Sequence, residues 1–145
     1  MDQLIIGRKD KADFPDFGLT NIQVKVDSGA YSCSIDCRSV KMIDVNGQKK
    51  LEVVFLNDDR SEFTGEKYFF SNFKSKKVKS SSGHSQVRYF IFGRIVLFGN
   101  EYQTYFSLSK RSSMKTPVLI GRKLLNKNFI IDTRKVNLSD NLKAK

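Results

Sequence analysis

Downstream of Gly99-Asn100, the residues Tyr102, Thr104, Phe106 and Leu108 fall on one side of an extended chain, while Gln103, Tyr105 and Ser107 between them all carry a polar group. A helix buries residues spaced three and four apart, so this two-residue period commits the segment to a strand. With Ile95-Val96-Leu97-Phe98 before it and Gly99-Asn100 as the turn, it reads as a hairpin. Ile22-Gln23-Val24-Lys25-Val26 has the same alternation. A further strand from Val40 to Val45 meets Asn46-Gly47, a dipeptide suited to a type I′ turn, and Leu51 to Leu56 returns. Residues 74–85 are polar, basic and centred on Gly83, with β-prone flanks at Tyr68-Phe69-Phe70 and Val87 to Phe92; they read as a long, mobile hairpin or loop. Near the C-terminus, Pro117 to Gly121 is a short apolar run, and Arg122 to Asn126 has room for one or two helical turns before Phe129-Ile130-Ile131-Asp132. The pattern predicts an all-β domain over residues 1–138 with one short C-terminal helix, then a polar tail, 139–145, that frays.

With 145 residues, 39% hydrophobic and rich in Phe, the chain can bury one core. No run approaches the roughly 18 apolar residues of a membrane span, and Met1 to Gly7 lacks the basic-then-apolar order of a leader, so a cytoplasmic protein with no membrane partner is expected. Cys33 and Cys37 are too close in sequence for a useful bridge and are expected as reduced thiols. The net charge of +11 is unevenly spread: residues 1–66 hold 9 basic and 12 acidic side chains, residues 67–131 hold 13 basic and one acidic, Glu101. Either a solvated surface or an anionic partner, nucleic acid or an acidic polypeptide, accounts for that asymmetry.

The strand from Ile22 delivers the chain to Val26-Asp27-Ser28-Gly29-Ala30. Asp-Ser-Gly is a common turn tripeptide. At a strand end it also suits a specific chemistry. Two adjacent carboxylates cannot both ionise comfortably and share a proton, so one polarises a peptide carbonyl while the other takes a proton from water. Ser28 would bond across such a pair, and Gly29 would leave room for a substrate backbone.

Taken with Gly83 and with Val118-Leu119-Ile120-Gly121-Arg122-Lys123-Leu124-Leu125, the motif resembles retropepsin-like aspartic peptidases. Within them the chain is similar to the family often labelled ATP-dependent zinc proteases, small bacterial proteins associated with RimK-type amino-acid ligases. Ile6-Gly7-Arg8, Phe14 to Gly18, Ser81 to Arg88, Arg111 to Met114 and Ile131-Asp132 extend that likeness over nearly the whole chain. The resemblance implies a closed β-barrel and an active site completed by homodimerisation, with Asp27, Ser28 and Gly29 catalytic. It also implies substrate contacts from Ala30, Ser81, Ser82, Gly83, His84 and Arg88, structural support from Gly121 and Arg122, and a glutamate-tailed, acidic substrate. Retroviral relatives place an acid soon after the catalytic Asp to pair with the Arg of the Gly-Arg motif. Here Tyr31-Ser32-Cys33 follow, so Arg122 needs a carbonyl or a more distant acid, and Ser28 replaces the commoner Thr.

Neither cofactor in that label is expected. A catalytic zinc needs three protein ligands, and the chain has one histidine and no His-Glu-x-x-His; the best available set is His84 with Cys33 and Cys37. No phosphate-cradling Gly-x-x-x-x-Gly-Lys-Ser/Thr occurs. Asp132 is a second carboxylate in an apolar run but lacks the glycine of the catalytic turn, so it is expected to pair with a nearby cation. The alternatives to a peptidase are a non-catalytic peptide-binding relative of the fold and, last, a nucleic-acid-binding β domain.

Overall fold

The computed structural model of the protein describes residues 3–79, 82–110 and 115–143. Strands β1 (Leu4–Ile6), β2 (Lys9–Phe14) and β3 (Leu19–Val26) come first, with a 3-10 turn at Pro15–Phe17 between the last two. In β3, Ile22 and Val24 are buried and Asn21, Gln23 and Lys25 exposed, as the alternation requires. Strands β4 (Cys33–Val45) and β5 (Gln48–Phe55) form the expected hairpin about Asn46-Gly47, but β4 begins at Cys33 rather than Val40, and Leu56 leaves the strand with φ of 70°. Asn46 and Gly47 turn it with φ of 53° and 82°, the paired left-handed conformation of a type I′ turn.

Strands β6 (Tyr68–Phe70), β7 (Phe73–Lys79), β8 (Ser85–Leu97) and β9 (Asn100–Ser109) follow. The β8–β9 turn lies one residue earlier than expected: Leu97 pairs with Asn100, and Phe98 and Gly99 take the left-handed positions, φ 55° and 71°. Phenylalanine is unfavourable there. Two contacts hold it, a hydrogen bond from its N–H to Ser139 Oγ at 2.8 Å and packing of its ring 6.0 Å from that of Phe129. Both partners lie over 30 residues away, beyond the reach of a local turn rule.

After β10 (Val118–Ile120) come the expected short helix, α1 (Arg122–Asn128), and β11 (Phe129–Ile131), which pairs in parallel with β1. The barrel closes in the order β10-β3-β2-β8-β9-β4, with β4 returning to β10. All three residues of β10 pair in parallel with β3, and Val118 and Leu119 also pair antiparallel with β4. An aromatic cluster fills the interior: Phe17 stacks on Phe55 at 4.5 Å and meets Phe106 edge-on at 5.5 Å. Fully burying each ring contributes about 1.5–3 kcal/mol.

The segment expected to fray is instead helical from Leu138 to Lys143, α2. The buried Asp10 carboxylate explains it. Its two oxygens accept hydrogen bonds from the Ser139 and Asp140 amides at 2.9 and 3.0 Å, satisfying first-turn donors from 129 and 130 residues away. A second buried carboxylate, Asp36, pairs with Arg60 at 2.7 Å and pins the loop after β5 to the barrel.

Candidate functional site

Asp27 follows directly on β3, and its backbone N–H donates to Ile120 O at 3.0 Å, which ties the strand end to β10. Next comes a tight turn. The Ala30 N–H donates to Asp27 O at 3.2 Å, and the Gly29 N–H donates to Asp27 Oδ1 at 3.0 Å. A Cβ on Gly29 would sit 3.3 Å from that same oxygen, so a larger residue would crowd the carboxylate. Oδ2 takes no hydrogen bond from any described residue. Asp27 is half-buried, and Ser28 and Gly29 are exposed. One carboxylate oxygen is fixed by the backbone while the other is available.

The Gly121-Arg122 segment supports this turn from behind. Arg122 N–H donates to Ala30 O at 2.8 Å and Lys123 N–H to Tyr31 O at 2.9 Å. Arg122 finds a carbonyl in place of the missing acid: Nη1 donates to Ser28 O at 3.0 Å, and its guanidinium stands 5.8 Å from the Tyr31 ring centroid. Gly121 is required by close approach, since a Cβ would lie 2.5 Å from Ser32 O. Three sequence segments, 27–32, 118–123 and the end of β3, thus interlock mainly through main-chain hydrogen bonds.

The basic segment forms a β7–β8 hairpin, with Lys79 opposite Ser85. Of the residues expected to contact substrate, Ser82, Gly83 and His84 sit exposed at its tip, Gly83 with φ of 85°; Arg88 lies on β8 and Ala30 in the Asp27 turn. Ser81 lies outside the described residues, as do Arg111 to Met114. Arg88 is directly opposite Lys76, so two like charges face each other across the ladder. Such a pairing is destabilising.

At the base of the hairpin are features that the sequence left unnamed. Lys74 Nζ stands 4.4 Å and Lys123 Nζ 5.6 Å from the centroid of the Tyr105 ring. Ser32, Lys76 and Phe90 complete a cavity of about 270 Å³. It shares Tyr105 and Lys123 with a second cavity of about 460 Å³ lined by Tyr31, Phe92, Arg122 and Lys127. The alternation of β7 was a local signal for the shared face of Lys74 and Lys76. Lys123 and Tyr105 join them only through the barrel.

Asp132 behaves as a strand-end residue with its own cation: Oδ1 and Oδ2 accept from Arg134 Nε and Nη2, both at 3.0 Å, and these bonds hold the carboxyl down at about 2. The cysteines are free and buried in the barrel. Burial pushes the Cys33 thiol up to about 11 and drives Cys37 up as well, which disfavours the thiolates a metal would need. His84 is exposed at the hairpin tip, and among the described residues no three His, Cys, Asp or Glu side chains are grouped to hold a metal. No described helix is long and apolar enough to cross a membrane.

A closed six-stranded barrel carrying Asp-Ser-Gly at a strand end, braced by an Ile-Gly-Arg segment, defines a retropepsin-like domain. The chain belongs to the RimB-like family, described as retropepsin-like aspartic endopeptidase RimB, which matches residues 5–141. It is similar to a probable alpha-L-glutamate ligase of Shewanella pealeana, 27% identical over 136 residues, covering 90% of this chain and 29% of that protein. A probable alpha-L-glutamate ligase of Desulfotalea psychrophila is 30% identical over 130 residues, 88% of this chain and 28% of that protein. The chain therefore spans less than a third of these relatives. A solved structure of a Legionella pneumophila protein of unknown function has the same fold, with a TM-score of 0.68 at 22% identity, covering 95% of this chain and 99% of that one.

Proposed function

We propose that the protein is an aspartic endopeptidase that works as a homodimer, each copy supplying one Asp27 to a shared pair. The observation that carries this reading is the Asp27 carboxylate itself, with Oδ1 held by the Gly29 amide and Oδ2, bonded to no described residue, positioned to meet a second carboxylate. Asp-Ser-Gly occurs once in the sequence, and Asp132 is engaged by Arg134, so a second copy supplies the partner more simply than this chain does. In the pair, the ionised carboxylate takes a proton from water as the water oxygen bonds to the scissile carbonyl carbon. The protonated carboxyl gives its proton to the carbonyl oxygen. Collapse of the resulting diol then breaks the C–N bond as the amine nitrogen is protonated. Ser28 orients the pair, and Ser82, Gly83, His84, Arg88 and Ala30 contact the peptide.

The substrate class follows from charge: the basic hairpin favours acidic peptides. Relatives named as glutamate ligases support a role in a RimK-type pathway, in which this protein would remove glutamates that a ligase adds. The test is hydrolysis of glutamate-rich and neutral peptides from pH 4 to 8 by the native protein and by Asp27→Asn. Cleavage lost in Asp27→Asn is expected; equal cleavage by both proteins, or none by the native one, rejects the reading. The ligase-named relatives, in which the matched region is a small part of the chain, favour one alternative, a peptide-binding domain without catalysis. That alternative predicts binding of acidic peptides and no hydrolysis at any pH.

A further inference from the structure

We propose that the cationic groove around Tyr105 is the specificity site for an acidic side chain of the peptide, with Lys74 and Lys123 as the residues that bind its carboxylate. The proposal rests on the peptidase reading for its biological setting but not for its test. Among the described residues, the two cavities that share Tyr105 and Lys123 are lined by five cations, Lys74, Lys76, Arg122, Lys123 and Lys127, and by no acid. None of the five is in an ion pair with any described residue. Cross-strand geometry adds Arg88, because it and Phe90 lie opposite Lys76 and Lys74 on the same face of the hairpin.

Proteins normally intersperse charges of both signs on a surface. Here two ammonium groups are held over one aromatic ring, and a third cation on the same face opposes a fourth across the ladder. An anion entering the groove would relieve both repulsions, and the ring positions the two ammoniums before it arrives.

The dimensions and the ring chemistry favour a carboxylate side chain over a nucleic acid. The cavity lined by both Lys74 and Lys123, about 270 Å³, is the size of a side chain or two. Single-strand binding needs free aromatic faces for bases. Tyr105 is already covered by Lys74 and is met edge-on by Phe92 at 5.0 Å. Position also favours a peptide: Ser32 lines the groove, and Lys123 N–H holds Tyr31 O, so the groove adjoins the turn that carries Asp27.

The experiment measures fluorescence anisotropy of labelled pentaglutamate, pentaglutamine and a twelve-nucleotide oligo(dT) on the full chain carrying Asp27→Asn, which removes hydrolysis from the readout. Lys74→Gln and Lys123→Gln are then added together; both lysines are solvent-exposed, so the fold should tolerate the change. Pentaglutamate affinity is expected to fall about 100-fold, roughly tenfold per lysine, and to weaken with salt, while pentaglutamine binding stays weak and unchanged. Pentaglutamate binding that is absent, or unaffected by the two substitutions, overturns the proposal. Tighter binding of oligo(dT) with the same lysine dependence also overturns it, in favour of a nucleic-acid site. Because binding is read without catalysis, a protein that cleaves nothing can still pass this test. One that cleaves glutamate peptides regardless of Lys74 and Lys123 fails it while remaining a peptidase.

Discussion

The Asp27 turn and the β7–β8 hairpin are built on opposite principles. The turn is held by main-chain hydrogen bonds from Gly29, Ala30, Arg122 and Lys123, with a glycine where any side chain would strike Ser32 O. The hairpin presents an exposed row of lysines and sets Lys76 against Arg88. Where a reacting group must sit within a fraction of an ångström, the backbone supplies the geometry. Where a ligand must be attracted, uncompensated charge is tolerated at some cost to stability. Mutations in the turn should therefore act on chemistry and folding, and those in the hairpin on affinity.

The largest expected effect is on chemistry. Asp27→Asn should lower peptide hydrolysis by at least about a thousandfold, with no change in thermal midpoint beyond a degree or two, measured by steady-state kinetics and calorimetry. Gly121→Ala should cost about 2 kcal/mol, seen as a midpoint lowered by roughly 6–8 °C, because the neighbouring atom is backbone and cannot step aside. An unchanged midpoint would mean that the turn is not braced as described.

Cys33 tests how dry the turn side is. Cys33 is fully buried and its thiol is pushed up to about 11, so a thiol reagent at pH 8 meets neither an accessible sulfur nor much thiolate and should label it far faster after denaturant is added. Because the folded value is the higher one, the associated stability is complete below pH 9 and is lost as pH rises from about 9 through about 11. Rapid labelling of the folded protein would contradict that burial. The smallest effect belongs to the hairpin. Lys76→Glu replaces a repulsive cross-strand pair with an attractive one and should stabilise the protein by about 0.2–1 kcal/mol while weakening pentaglutamate binding. A lower stability would show that Lys76 and Arg88 do not oppose each other in solution.

Period-2 alternation made β3 and β9 legible, and the Asn46-Gly47 dipeptide made the β4–β5 hairpin legible, because few residues other than Asn and Gly take the left-handed pair that a type I′ turn needs. Asp-Ser-Gly and Gly-Arg were legible as motifs, and the missing acid at Tyr31-Ser32-Cys33 left Arg122 either a carbonyl or a more distant acid, between which the fold decides for Ser28 O. What stayed hidden depends on contacts distant in sequence. Phe98 takes a left-handed turn position because Ser139 and Phe129 hold it, and α2 forms because Asp10 caps it. The pairing of Lys123 with Lys74 over Tyr105 needs the barrel to close first. Each of these is decided by topology rather than by local pattern.

The central claim, that each copy carries half of a two-carboxylate site, is tested most directly by mixing. Native protein and Asp27→Asn are unfolded and refolded together at fixed total concentration, and hydrolysis of a glutamate-rich peptide is measured as the native fraction is varied. If two Asp27 side chains act as a pair, activity will follow the square of the native fraction. Activity that falls in direct proportion would place the whole site within one chain and contradict the account.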